Sequence, residues 1–208
     1  MNANRGPRLI TTRAPRHPKG VVLVLHGGAS RRDSPPVSLT QLSVIRMVPI
    51  AHRIARAGRG NLAVHRLLNS HRGWDSTRTP VMDVTWALQR VRETYGEGVA
   101  VCLVGHSLGG RAALMSGAAP SVRSVVALNP WLYPHDRADL QGRRVLIVHG
   151  TDDRVAPLEH AAAFAERLSG TTSTQFVTVP GGKHAMLRHA RQFERAASDF
   201  VLETLLEG

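Results

Sequence analysis

Short apolar runs rich in Val, Leu and Ile recur along the chain at Val21–Leu25, Leu62–Leu67, Val99–Val104, Val122–Leu128, Val145–Val148 and Gln175–Val179. Runs of this length with little polar alternation are expected of strands buried on both faces. Between them, apolar residues return at helical spacing. Val81, Val84, Leu88 and Val91 share one face, as do Leu158, Ala162, Ala165 and Leu168, and then Phe193, Ala197, Phe200 and Leu205. Strand and helix in repeated alternation predict an α/β fold, with a mostly parallel sheet of about six or seven strands, right-handed crossovers and helices on both faces. Ligands of such sheets bind beyond the carboxyl ends of the strands, so chemistry is sought just after each run.

Two stretches depart from this rhythm. Residues 1–20, rich in Arg, Pro and Thr, read as an N-terminal tail with Leu9–Thr12 as an edge-strand candidate, which leaves residues 21–208 as one domain. Pro49 would break a continuous helix over Leu42–Ala57, so a helix is placed from about Pro49. Residues 29–48 are then a long loop of Ser, Arg and Pro, either a wall of the site or partly disordered.

Composition narrows the class of protein. With 208 residues, 42% of them hydrophobic, the chain can build a core without disulfides. No apolar run approaches the roughly 20 residues that span a bilayer. Val21–Leu25 is too short for a signal-peptide core and ends in His-Gly-Gly, and Cys102 is the single cysteine. A cytoplasmic protein is expected, with Cys102 as a small core residue. The net charge of +12 is uneven: residues 1–72 carry 13 Lys or Arg and one acid, Asp33, while the remainder balances. Only Lys19 and Lys183 are lysine, a skew that GC-rich coding produces by itself. The excess therefore reads as solvated surface, with a weak anionic surface as its partner at most and no specific nucleic acid. A non-catalytic scaffold holding an anionic partner through this basic third is the rival to an enzyme.

The most informative segment is Val101-Cys102-Leu103-Val104-Gly105-His106-Ser107-Leu108-Gly109-Gly110, a buried strand running through Gly-x-Ser-x-Gly into an Ala-rich stretch. A serine between strand and helix sits on a tight turn where Gly105 and Gly109 remove side chains that would clash, and Ser107 Oγ is presented above the sheet. The amide of Leu108 opens the helix, where unpaired N–H groups favour developing negative charge.

In these features the chain from about residue 21 onward resembles the α/β-hydrolase superfamily, whose order is nucleophile, acid, histidine. The resemblance implies an acid in Val148-His149-Gly150-Thr151-Asp152-Asp153-Arg154-Val155-Ala156-Pro157. The family spacing, three residues after the glycine and four before the proline, selects Asp153 over Asp152. It also implies a catalytic histidine after a glycine-containing turn, which His184 in Pro180-Gly181-Gly182-Lys183-His184 supplies. His26-Gly27-Gly28-Ala29 resembles the oxyanion segment, with the amide of Gly28 as donor and Ala29 as the alternative. His26 and His149 are read as hydrogen-bonded turn residues and His189 as a helix-surface residue.

The 11 histidines form no metal-binding spacing, and neither a phosphate loop nor a dinucleotide fingerprint is present, so no metal and no cofactor are expected. The interval from Pro130 to Arg144 is too short for a helical cap domain, which implies an open site. Trp74, Trp131 and Tyr133 fall in loops that would ring it, as lining for an acyl or alcohol pocket or as ordinary packing. The reading is a small, lidless serine hydrolase of the carboxylesterase or thioesterase type. It cleaves a small-molecule ester or thioester through an acyl-enzyme on Ser107; an amidase or peptidase on the same fold is the nearer alternative.

Overall fold

The computed structural model describes residues 6–28 and 37–207. Seven strands, β1 (Arg8–Arg13), β2 (Gly20–Leu25), β3 (Leu62–Leu68), β4 (Val101–His106), β5 (Val122–Leu128), β6 (Arg144–Gly150) and β7 (Ser173–Val179), form one sheet in the order β1-β3-β2-β4-β5-β6-β7. All neighbours are parallel except β1, which runs antiparallel to β3 at the edge. The helices are α1 (Leu42–Ile45), α2 (Met47–Ala57), α3 (Thr79–Tyr95), α4 (Leu108–Ser116), α5 (Leu158–Ser169) and α6 (Ala190–Leu206). None of them is long and apolar enough to cross a membrane.

Alternation along the buried strands sorts the core into two layers. Val101 and Leu103 of β4 point to the face covered by α3, α4 and α5, where they join Leu88, Ala112 and Phe164. Cys102 and Val104 point to the face covered by α2 and α6, against Ile50, Ile54, Phe193 and Val201. The chain leaves β2 for β3 on one side and later returns to β4 on the other, so the order reverses between β2 and β4. That reversal opens a crevice at the carboxyl ends of these two strands, the place where parallel sheets of this kind take ligands.

Several expectations need correction. The strand expected over Val99–Val104 runs from Val101 to His106, carried through Gly105 by pairing with β2 and β5. The buried face of α5 keeps Ala165 and Leu168 of the expected set but takes Ala161 and Phe164 in place of Leu158 and Ala162, with Phe164 the bulkiest apolar side chain of the helix. Part of the stretch read as loop over 29–48 is helical. Residues 42–45 form the single turn α1, and α2 begins at Met47 rather than Pro49. Pro49 is the third residue of α2, where its missing N–H has no intrahelical acceptor to lose. Residues 29–36 lie outside the described residues.

Phe193, fully buried under the sheet, provides a stability test. Phe193→Ala is expected to cost about 3–5 kcal/mol through lost burial and the cavity left behind. Leu187→Ala, at a side chain that is 75% exposed, is expected to stay within about 0.5 kcal/mol of the parent. Urea unfolding of both variants checks the ranking.

Candidate active site

The turn from β4 into α4 is built on contacts between backbones. A Cβ on Gly105 would lie 2.1 Å from the carbonyl oxygen of Gly109, and a Cβ on Gly109 would lie 2.5 Å from that of Leu25. Only glycines allow the strand, the helix and the end of β2 to meet this closely. Ser107, between them, has φ 56° and ψ −121°, a conformation that L residues rarely adopt. It is held there from three sides. Its N–H donates to Leu128 O (3.0 Å), and its carbonyl accepts from the N–H groups of Arg111 (3.1 Å) and Trp131 (3.2 Å). Leu108 is the first residue of α4, so its N–H has no intrahelical acceptor.

The segment after β2 runs beside this turn. A Cβ on Gly27 would come 3.1 Å from Ser107 Cβ, and one on Gly28 would come 1.8 Å from Arg72 O, with Leu108 Cδ1 at 3.6 Å. Gly28 is thus wedged between the loop after β3 and the start of α4, where only a glycine fits. Ala29, the alternative donor, lies outside the described residues.

Asp153 and His184 arrive from the ends of β6 and β7. The Asp153 side chain is fully buried; its Oδ1 accepts the N–H groups of Val155 (2.8 Å) and Ala156 (2.9 Å). Its Oδ2 accepts from His184 Nδ1 at 2.7 Å, and His184 Nε2 lies 3.0 Å from Ser107 Oγ. With a carboxylate at Nδ1, the ring carries its proton there and presents a lone pair to the Ser107 hydroxyl. Asp152 is exposed, and its carboxylate accepts the Thr151 hydroxyl at 3.3 Å. Burial alone would raise the pKa of Asp153, but the hydrogen bonds from His184, Ala156 and Val155 outweigh it and hold the carboxyl below the ordinary value.

The two loops also touch through glycines. A Cβ on Gly150 would lie 2.2 Å from Gly182 O, and Asp152 N–H donates to that same oxygen at 2.9 Å. The His184 carbonyl accepts from His106 Nε2 (2.8 Å) and Asn129 Nδ2 (3.2 Å). Neither residue was singled out as functional in the sequence; the usable signal for Asn129 was its Asn-Pro position immediately after a buried strand.

The three aromatic candidates divide. Trp131 sits against the turn through its N–H to Ser107 O, and its ring packs edge-on to Tyr133 with centroids 4.8 Å apart. Trp74 and Tyr133 lie over the guanidinium of Arg111, at 4.0 and 4.7 Å, and Arg111 forms a buried ion pair with Asp136 at 2.6 Å. These two rings face the cation, which fits the packing alternative. Residues 38–50 separate two cavities beside the site. A polar one of about 530 Å³ is lined by Gly28, Ser38, Thr40, Gln41, Ser43 and Arg72, and an apolar one of about 180 Å³ by Ile45, Ile50, Met186, Leu187 and Phe193. Among the described residues no cluster of three or more His, Cys, Asp or Glu is arranged to hold a metal ion.

Four other histidines make backbone or helix-cap contacts. His26 donates from Nδ1 to Gly27 O (2.6 Å) and accepts Asn69 N–H at Nε2 (3.1 Å). His149 donates from Nδ1 to Gly150 O (3.2 Å), and burial lowers its pKa. His189, expected on a helix surface, is instead the N-cap residue of α6, half-buried against Gly181. Burial lowers His26 from 6.5 to about 4. His106 falls from 6.5 to about 3, through burial first and the neighbouring His184 ring second.

Both rings are neutral in the fold and regain ordinary basicity when it opens. Between about pH 6.5 and 3 the unfolded chain binds the additional protons, so stability falls as pH drops through that window. Each such group contributes a slope of up to about 1.4 kcal/mol per pH unit. The urea midpoint of His106→Gln is therefore expected to depend less steeply on pH between 6.5 and 4 than that of the parent; equal slopes would remove His106 from the account.

The fold has counterparts in solved structures. The fold matches an α/β serine hydrolase homologue from Coxiella burnetii with TM-score 0.70 at 18% identity, covering 95% of this chain and 94% of that one. It matches Est1E from Butyrivibrio proteoclasticus with TM-score 0.67 at 16% identity, covering 95% and 93%. XC6422 from Xanthomonas campestris, described as an α/β serine hydrolase without lid, matches with TM-score 0.66 at 18% identity over 97% and 96%. No curated relative matches the sequence. Such identities establish the fold: an α/β hydrolase, here with no helix between Asn129 and Arg143 to form a cap. A family profile described as PETase, PET hydrolase-like, matches residues 90–200, more than half of the sequence and including the Ser107 turn, Asp153 and His184, so the chain belongs to the PET hydrolase-like family of α/β hydrolases.

Proposed function

We propose that the protein is a serine esterase that cleaves a small carboxylic ester through an acyl-enzyme on Ser107. One observation carries the reading: an unbroken hydrogen-bonded chain from the buried Asp153 carboxylate through His184 to the Ser107 hydroxyl, at the sheet's topological switch point. Membership of a family described as PET hydrolase-like supports an ester as the bond cleaved. A thioester would be processed by the same groups.

The steps follow from the geometry. Ser107 Oγ attacks the carbonyl carbon while its proton passes to His184 Nε2, and Asp153 stabilises the imidazolium and keeps the ring oriented. In this reading the negative charge that develops on the carbonyl oxygen is received by the N–H groups of Leu108 and Gly28. Collapse of the tetrahedral adduct breaks the ester C–O bond, and the alkoxide leaves with the proton from His184. Water then attacks the acyl-enzyme with His184 as base, releasing the acid and restoring Ser107. Among the described residues no helix between Asn129 and Arg143 forms a cap over the site.

Ser107→Ala removes the nucleophile without opening a large cavity. Its turnover of a nitrophenyl ester is expected to fall by at least about 10⁴-fold, with the unfolding midpoint near that of the parent. A fluorophosphonate probe should add to the parent at Ser107 alone, as located by intact mass and peptide mapping; a parent that stays unlabelled or labels elsewhere overturns the assignment.

The two neighbouring acids give a second test. Asp153→Asn faces His184 with an amide that favours the wrong ring tautomer, so kcat should drop by about 10⁴-fold. Asp152→Asn alters an exposed side chain and should leave kcat close to the parent's. The reverse ranking in steady-state kinetics would transfer the role to Asp152.

A further inference from the structure

The geometry points to Asn129 as the positioning residue that holds His184 and the acid-bearing loop in mutual register, an inference that rests on the serine, histidine and aspartate reading above. Asn129 directly follows β5, is fully buried, and adopts φ 42° in the left-handed region, which asparagine tolerates better than most residues. Its N–H donates to Val148 O in β6 at 2.8 Å. The side chain then bridges two loops. Oδ1 accepts Gly150 N–H at 2.8 Å, and Nδ2 donates to the carbonyls of Lys183 and His184, both at 3.2 Å. The amide orientation is fixed by these partners, since the reverse would set oxygen against two carbonyls and N–H₂ against an N–H.

This arrangement does more than satisfy a buried polar group. Gly150 ends the strand that leads to Asp153, and His184 is the base itself, so one side chain connects the backbones of both partners. It acts with His106, whose Nε2–H reaches the same His184 carbonyl at 2.8 Å. The His184 ring has to reach Asp153 Oδ2 at 2.7 Å and Ser107 Oγ at 3.0 Å at once. A displacement of about 1 Å in such a catalytic group costs up to about 100-fold in rate. Asn129 touches neither substrate nor the reacting atoms, and its effect should appear in kcat.

Two variants of the full chain test this. Asn129→Gly keeps access to the left-handed backbone and deletes every side-chain bond. Asn129→Asp keeps an acceptor for Gly150 N–H and loses the donor to Lys183 and His184. For each, kcat and KM on a nitrophenyl ester and the rate of fluorophosphonate inactivation are referred to the folded fraction measured by tryptophan fluorescence. Both variants should lose about 10- to 100-fold in kcat and in inactivation rate, with KM within about threefold of the parent. A purely structural role would lower the unfolding midpoint but return parental kcat and inactivation rate per folded molecule, and that result overturns the proposal. A parent that is not labelled at Ser107 would instead bring down the underlying reading, so the two failures are distinct.

Discussion

The site depends on one steric constraint, the passage of three backbone segments through a space that admits no Cβ. Leu25 at the end of β2, Gly105 in β4 and Gly109 in α4 meet where an added methyl carbon would lie 2.1–2.5 Å from a carbonyl oxygen. Because α4 starts this close to the sheet, Ser107 is forced into its unusual conformation, and the first N–H of the helix comes to lie beside its side chain. The strain is local, and the surroundings sustain it: β4 is buried along its whole length, and both the N–H and the carbonyl of Ser107 are hydrogen-bonded.

A second constraint of the same kind places the other two residues. Gly150 and Gly182 bring the ends of β6 and β7 into backbone contact, so Asp153 and His184, 31 residues apart in sequence, are set by the register of two adjacent parallel strands. Around them lies a shell of neutral groups. His26 and His106 are held uncharged by burial, so they supply directional hydrogen bonds without competing electrostatically with the His184 and Asp153 pair. The His106 ring lies 4.9 Å from that of His184.

Much of this was legible in the sequence because it is local. Uninterrupted apolar runs specify buried strands whatever their neighbours, and Gly105, Ser107 and Gly109 are informative because strand, turn and helix follow one another directly. The spacing of Asp153 from Gly150 and Pro157 is likewise a property of one turn. What escaped were features decided by packing between distant segments. The place of Phe164 in the buried face of α5 follows from how it fills a layer shared with β5 and β6, and the turn α1 lies just ahead of Pro49, a residue that in sequence argues against a helix running through it. The partners of His184 through Asn129 and His106 depend on carbonyls 55 and 78 positions away, which no window of sequence contains.

The wall of the site shows how a long connection without a helix is kept ordered. Between β5 and β6 the chain runs from Asn129 to Arg143 without a helix, and such a segment would ordinarily be mobile. Here it is tied inward by a buried cation. Arg111, one turn beyond Ser107, pairs with Asp136, while Asp136 Oδ2 accepts Tyr133 N–H at 2.8 Å and His160 Nδ1–H donates to Leu132 O at 3.0 Å. Burying two charges carries a desolvation cost that an ion pair alone often fails to recover. In this case the faces of Trp74 and Tyr133 cover the guanidinium, and a planar cation gains from such stacking where a lysine ammonium could not use the same geometry. The arrangement holds Trp131 beside the Ser107 turn, its N–H donating to Ser107 O at 3.2 Å, while the ion pair that orders the loop lies deeper, between Arg111 and Asp136.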